Sequence, residues 1–394
     1  MENEYEAIVI GLGAMGSAST YQLAKRGVKV LGIDRYAPPH KLGSTHGSAR
    51  IMRLAIGEGA HYTPLSKRSY ELFREIEGEA QTKLLDVTGM LTISSVDKEK
   101  IVPEGDFFGN TVSAALKYDV RHDVLDADDI RRRFPQFKVR DDEKGYYEYD
   151  AGYLRPEQCV RAQLMLAGKF GASISTNEVV ENISATESGV TIRTDHRVCK
   201  AQQVVVAAGP WISELLDLEY RGLFQSYRLA QFWYDISNSR SDYTPGKCPI
   251  YFWQLPGYDK WMFGFPALGG IEGGLPLSVS NQVVPTTPDT ADRSVSEQEI
   301  ETVYKEYVER CLFDVGRRAL KTDVCLYTAT PDGGFVIDRD PGCSRVIVCS
   351  PCSGHGFKHS AAIGECVAEM ITSAQSTIDL GAFKFDRLLR TALV

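Results

Sequence analysis

The sequence predicts an α/β protein in two parts, one built on buried parallel strands and one an α+β unit on a mixed or antiparallel sheet. Three observations lead there. The N-terminal segment alternates strand, helix and strand within about thirty residues. Short apolar runs of the same buried-strand type return late, at 203–209 and 346–349. Between them, residues 221–324 are rich in aromatics, Gly, Pro and Ser. The pattern implies a discontinuous first domain, 1–84, 150–220 and 325–394, interrupted by a second, 85–149 and 221–324.

Taken in order, Ala7-Ile8-Val9-Ile10 is a continuous apolar run, as in a strand buried on both faces. Gly11 to Gly16 follows, and Ser17 to Lys25 reads as a helix closed by Gly27 at a left-handed cap. Residues 28–33 read as a second strand, ending on Asp34. Thr63-Pro64 reads as an N-cap with proline at the first helical position. Leu65, Ser69, Leu72, Phe73 and Ile76 then keep one face at helical spacing. Residues 85–149 are mixed and charged, with strand-like pieces such as Met90-Leu91-Thr92-Ile93. Helices are expected at 155–168, on the surface at 296–313, and after Ser353-Gly354-His355-Gly356 as far as Ser373.

At roughly 150 residues per domain, 394 residues suggest two or three domains. A hydrophobic share of 43% allows a sizeable core. Lys+Arg 44 against Asp+Glu 52 gives a net charge of -8, which argues against nucleic-acid binding. No apolar run approaches the ~18 residues of a membrane span. The acidic start, Glu2-Asn3-Glu4, is unlike a secretory signal. Thr391-Ala392-Leu393-Val394 is not a peroxisomal address, so a cytoplasmic protein is expected. Nine cysteines without a signal segment are expected to be reduced thiols. Cys349 and Cys352 have CxxC spacing. A zinc site would want a second such pair or paired histidines, and none follows. A redox pair and two ordinary thiols both fit.

Gly11, Gly13 and Gly16 form GxGxxG between strand and helix. The first glycine permits the tight turn, the second lets backbone approach a pyrophosphate, and the third lets helix pack on strand. The helix N-terminus favours the anion. Asp34, at the end of the second strand, stands where an acid binds a ribose hydroxyl pair. This combination predicts a Rossmann-like site, with FAD or NAD preferred to NADP.

The next segment places Arg50 and Arg53 three residues apart among small residues. A solvated basic loop is one reading. The other is a pair of guanidinium groups in one pocket, suited to bidentate carboxylate binding. The surrounding residues are Pro38-Pro39-His40, Gly43-Ser44-Thr45-His46-Gly47, Arg50-Ile51-Met52-Arg53 and Gly57-Glu58-Gly59. Near the other end stand Cys325-Leu326-Tyr327-Thr328-Ala329-Thr330-Pro331-Asp332, Phe335-Val336-Ile337-Asp338 and Ser353-Gly354-His355-Gly356-Phe357-Lys358. Together these motifs resemble the monomeric sarcosine oxidase, N-methyltryptophan oxidase and pipecolate oxidase family, over nearly the whole chain. Those are flavoproteins of the glycine-oxidase-like Rossmann class.

The resemblance implies FAD held covalently through the Cys325 thiol; by itself Cys325 also reads as a small buried residue. It implies cofactor contacts from Gly11, Leu12, Gly13, Ala14, Met15 and Gly16, then Asp34, Arg35, Ser44, Thr45, His46, Arg50 and Ile51. Val180 matches the adenine-side strand, and Ala208, Gly209 and Trp211 match a second strand end. Gly354, Gly356, Phe357 and Lys358 would line the flavin ring, with Arg50 close to it. Arg53 and Lys358 would pair with the substrate carboxylate, and Tyr327 and Phe263 would stand in the catalytic pocket. By itself Lys358 also reads as a solvent lysine.

The chain departs from the family in places. Relatives carry a lysine, and often a histidine, where Pro276 and Ser280 stand, and no lysine occurs between Lys260 and Lys305. In relatives that lysine assists oxygen reduction. Relatives often have tyrosines at Phe263 and Ile56. With Trp253, Trp261 and Met262 nearby, a bulkier or more apolar amine than sarcosine is expected, although some of these aromatics also read as core. The implied activity is oxidation of the C–N bond of a secondary or cyclic amino acid to an imine, with oxygen reduced to hydrogen peroxide, by a monomer. Two alternatives stand beside it. One is a flavin dehydrogenase or oxidative-cyclisation enzyme with weak oxygen reactivity; the other is a non-catalytic flavin-binding protein.

Overall fold

In a computed structural model, the protein is described over residues 4–94, 106–217, 219–237, 241–255, 261–280 and 284–391. Lys260 and the two chain ends named above, before Glu4 and after Thr391, lie outside these residues.

The first sheet has eight strands. Its parallel part runs Ser173–Thr176, Val30–Asp34, Glu4–Ile10, Val198–Val206 and Cys343–Ser350. Val180–Thr186, Gly189–Thr194 and Val336–Asp340 add antiparallel neighbours. The inner strands of the parallel part are apolar on both faces because helices and loops cover both, whereas the edge strand Ser173–Thr176 is polar and largely exposed. Ala7, Ile8, Val9 and Ile10 are accordingly 0–4% exposed. The helices Ala14–Lys25, Thr63–Ala80, Pro156–Lys169 and Ser360–Thr372 contribute to one core with this sheet. Small residues let two of them approach closely. A Cβ on Gly364 would lie 2.5 Å from the Cβ of Ala18.

The second sheet has nine strands, seven of them in the order Gln225–Ile236, Leu275–Val279, Trp261–Gly264, Ile250–Gln254, Met90–Ser94, Lys144–Glu148, His122–Leu125. Val284–Thr286 and Val315–Ala329 pair with Gln225–Ile236. It is mixed: Ile250–Gln254 runs parallel to Met90–Ser94, and the other pairs are antiparallel. Arg50–Met52, Gly152–Leu154 and Leu85–Val87 form a small third sheet.

Three local expectations shift. The helix N-cap is Tyr62, and Thr63 is already the first helical residue, because a 3-10 turn, Ala60–Tyr62, runs directly into the helix. The segment expected as one surface helix is Glu297–Val303, a wider π turn at Tyr304–Val308, and Glu309–Cys311. Its Val303, Tyr307, Val308 and Cys311 are buried. The boundary expected between 324 and 325 falls inside one strand. Val315–Ala329 continues unbroken because Gln225–Ile236 pairs along it, Leu229 opposite Cys325 and Tyr227 opposite Tyr327.

Candidate active site

A cavity of about 580 Å³ runs from the first sheet's strand ends to the second sheet. At one end the chain leaves Glu4–Ile10 through Gly11, whose φ of +86° suits glycine. A Cβ there would lie 2.6 Å from the Ala207 carbonyl oxygen, and one on Gly16 would lie 1.6 Å from the Gly11 carbonyl oxygen. Only glycine permits this turn and this helix-to-strand approach. Asp34 is 5% exposed and accepts from the Leu12 and Tyr36 N–H groups at 2.7 and 2.8 Å. Asp34 also lines the cavity, with Gly13, Arg35, Trp211 and Val180. The Arg35 guanidinium lies 4.9 Å from the Trp211 ring, and Trp211 Nε1 donates to Asp289 at 2.9 Å.

The middle of the cavity is shaped by the loop before Arg50–Met52. Thr45 Oγ1 accepts from Ala14 N–H at 3.3 Å. Arg50 donates to the Ala49 and Ser44 carbonyls at 2.9 and 3.1 Å. Cys325 faces the same space and is buried. Burial raises its thiol pKa, and the Arg50 charge opposes that rise. Tyr327, two residues along the strand, stacks on Tyr227 at 5.3 Å. Burial pushes its hydroxyl up to about 12.

The far end gathers Arg53, Glu58, His355 and Lys358. Arg53 and Lys358 are 5% and 4% exposed. Arg53 Nη2 donates to both Glu58 oxygens, at 2.6 and 2.5 Å. Lys358 Nζ donates to the His355 carbonyl at 2.5 Å. Burial and then the Arg53 charge push the Lys358 pKa down to about 7, against the pull of Glu58. Burial alone would raise Glu58, but Arg53, His355 and Lys358 hold it well below the usual carboxylate range. Burial lowers His355 to about 4. Aromatic rings close the wall. The Arg53 guanidinium lies 5.3 and 6.0 Å from the Phe107 and Phe252 rings. Trp261 stacks on Phe252 at 4.7 Å and meets Phe107 edge-on at 4.9 Å.

Most residues singled out in the sequence line this one cavity, including Ala14, Met15, Ser44, Ile51, Ala208, Gly209, Phe263, Gly354, Gly356 and Phe357. Leu12, Gly16 and His46 do not, nor do Ile56, Trp253 and Met262, which are buried in the cores. Leu12 packs in the core, and Gly16 is consumed by helix packing. His46 is buried with its Nδ1 3.8 Å from Asp323. Burial and Arg50 lower its pKa to about 4. Ser280 lines the cavity, whereas Pro276 lines a small side pocket with Gln231, Phe265 and Ser278. Glu58, Phe107 and Phe252 carry no site role in the sequence reading, although Phe252 stands in the aromatic-rich segment 221–324. Glu58 carried a signal, since it sits in the quoted Gly57-Glu58-Gly59; Phe107 and Phe252 carried none beyond being aromatic. Cys349 and Cys352 are free thiols, both raised by burial.

The FAD dependent oxidoreductase family (DAO) matches residues 6–370. The chain belongs to this family. Monomeric sarcosine oxidase of Streptomyces avermitilis is 34% identical over 390 residues, covering 98% of this chain and 99% of that one. N-methyl-L-tryptophan oxidase of Escherichia coli is 30% identical over 392 residues, again covering 98% and 99%. Among solved structures, NikD, an unusual amino acid oxidase essential for nikkomycin biosynthesis, superposes with a TM-score of 0.81 at 23% identity, covering 98% of each chain. That likeness shows the fold: a Rossmann-like FAD-binding region joined to a β-rich part. This DAO-family chain is therefore a flavin-dependent oxidoreductase acting on CH–NH groups. FAD fits the glycine turn, the Asp34 carboxylate and the long cavity. No helix among the described residues is long and apolar enough to cross a membrane.

Proposed function

We propose that this flavoprotein oxidises the C–N bond of a secondary or cyclic amino acid carrying an apolar side chain. The observation that carries this reading is two buried cations, Arg53 and Lys358, at an end of the cavity walled by Phe107, Phe252 and Trp261. Two cations in a water-poor pocket suit a carboxylate, because charge-assisted hydrogen bonds are roughly twice as strong as neutral ones. The aromatic wall suits the rest of the substrate and disfavours a second charge there. The relatives named for sarcosine and N-methyltryptophan are in keeping with an N-methyl or cyclic amine.

Asp34 would hold the ribose of FAD, the turn at Gly11 and Gly13 its pyrophosphate, and Cys325 would tether it through a thioether. Bound FAD supplies a two-electron acceptor that passes its electrons to oxygen. Arg50 places a fixed positive charge in the same part of the cavity and favours negative charge developing there. Arg53 and Lys358 orient the substrate so that its amine and the adjacent C–H face the middle of the cavity. Phe107, Phe252 and Trp261 line that end with apolar surface. The substrate loses two electrons and two hydrogens across the C–N bond and becomes an imine, and oxygen takes them up as hydrogen peroxide. Water then hydrolyses the imine.

An amine panel read by anaerobic bleaching of the flavin tests the reading. It should include sarcosine, N-methyl aromatic amino acids, pipecolate, proline and glycated amino acids. Bleaching by apolar N-methyl or cyclic amino acids is expected; a response to none of the panel overturns it. Pro276 motivates a second reading, a dehydrogenase of weak oxygen reactivity, because no lysine occurs from Trp261 to Tyr304. A positive charge near the reacting oxygen lowers the cost of superoxide. Slow recovery of flavin colour after an oxygen pulse supports that second reading, and rapid recovery overturns it.

A further inference from the structure

Glu148 is a buried carboxylate that does not line the cavity. It closes the strand Lys144–Glu148 of the second sheet and is 1% exposed. Its Oε1 accepts from the Leu54 N–H at 2.6 Å. Its Oε2 accepts from the Ala55 N–H at 3.2 Å and from the Tyr146 hydroxyl at 3.0 Å. Burial pushes the Glu148 pKa up, while these three donors and the nearby Arg53 charge oppose the rise. Three donors converging on two oxygens suit an ionised carboxylate.

Leu54 and Ala55 directly follow Arg53. The Arg53 side chain reaches along the same segment, Nη1 donating to the Ala55 carbonyl, one peptide further on, at 3.3 Å. The Ser66 hydroxyl donates to the Arg53 carbonyl, so the Arg53 backbone is bonded on the helix side too. Tyr146 packs with Ala55, Ala114, Ala115 and Val120, and the His122 ring stacks on it at 5.2 Å. A long guanidinium side chain loses much rotamer freedom when it binds, so fixing its base and its turn in advance preserves affinity.

We propose that Glu148 is a positioning residue for Arg53. By holding the peptide of Leu54 and Ala55 against the second sheet, it sets the direction of the Arg53 guanidinium and thereby the affinity for carboxylates. This rests on the reading of Arg53 as the carboxylate anchor.

The test titrates holoenzyme with acetate, propionate, benzoate and the uncharged benzamide, read by flavin absorbance. Wild type, Glu148→Gln, Arg53→Ala and the double variant are compared. Glu148→Gln is expected to weaken carboxylate binding about tenfold, and that effect is expected to vanish in the Arg53→Ala background. Flavin content and benzamide binding should stay unchanged. Carboxylate affinity unchanged in Glu148→Gln, or lost equally with and without Arg53, overturns the proposal alone. Wild-type affinity in Arg53→Ala, or a wild type that binds none of the carboxylates, overturns the anchor reading as well. If Glu148→Gln takes up no flavin, Tyr146→Phe decides. It removes one of the three donors and should produce the same carboxylate-only loss at about threefold; unchanged affinity there overturns the proposal.

Discussion

Arg53 Nη2 lies within 2.6 Å of both carboxylate oxygens of Glu58, at the aromatic end of the cavity. The two residues are five apart in sequence, and both face the space assigned to substrate. A carboxylate entering there meets a guanidinium that already holds an anion. Lys358 adds a second cation whose own charge is finely balanced, with a pKa near the middle of the biological range.

Arg53→Ala should weaken the apparent affinity for amino acid substrate by about 10- to 100-fold, the usual loss for hydrogen bonds to a charged group. Flavin content should be unchanged. Steady-state kinetics beside the flavin-to-protein absorbance ratio check this; equal loss of both makes Arg53 a folding or cofactor residue instead.

Glu58→Gln removes the rival anion while keeping its shape. Simple carboxylates should then bind about fivefold tighter, because the Arg53 fork no longer faces a charged competitor. The same change removes the influence that raises Lys358, so its pKa should fall further. Weaker carboxylate binding in this variant would show that Glu58 orients Arg53 rather than competes for it.

Carboxylate affinity should fall as pH rises through about 7, where Lys358 loses its proton. The sign follows from charge: below that pH two cations face the ligand, and above it one does. Benzoate has no amine to titrate and stays ionised throughout, so its binding isolates the site. A drop of about tenfold from pH 6 to pH 8 is expected. Lys358→Met should flatten the profile, and a profile that keeps its slope in that variant assigns the titration to another group.

Cys325→Ser should leave the yellow cofactor extractable by acid or denaturant, whereas wild type should retain it. Absorbance of the acid-precipitated pellet and supernatant reads the outcome. Wild-type flavin that is already released by acid defeats the covalent assignment. The buried, raised Cys325 thiol is in keeping with slow attachment, since the thiolate is the reactive form.

How much of this was legible in the chain depends on how far apart the interacting residues lie. The nucleotide end was readable because its parts are contiguous. Strand, glycine turn, helix and Asp34 occur within one short segment, and each follows from local rules of φ, burial and capping. Arg50, Arg53, Cys325 and Lys358 were readable as motif members. The motifs did not give the environment of each one, such as the pairing of Arg53 with Glu58 or the lowered Lys358.

The order of residues alone specified a dinucleotide turn, an interrupted parallel sheet and the residue types of a cationic pocket that binds an anion. Only the packed chain shows that both Glu58 oxygens accept from Arg53 Nη2, that Phe107 and Phe252 join the wall, and that Glu148 reaches the backbone after Arg53 from another sheet. It also turned Leu12, Gly16 and His46 away from the cavity and carried Val315–Ala329 across the expected boundary. The reason is physical. A turn is governed by the φ and ψ of its own residues, but the partner of a buried charge is whichever group the strand order brings within a few ångströms, and strand order is settled by burial across the whole chain.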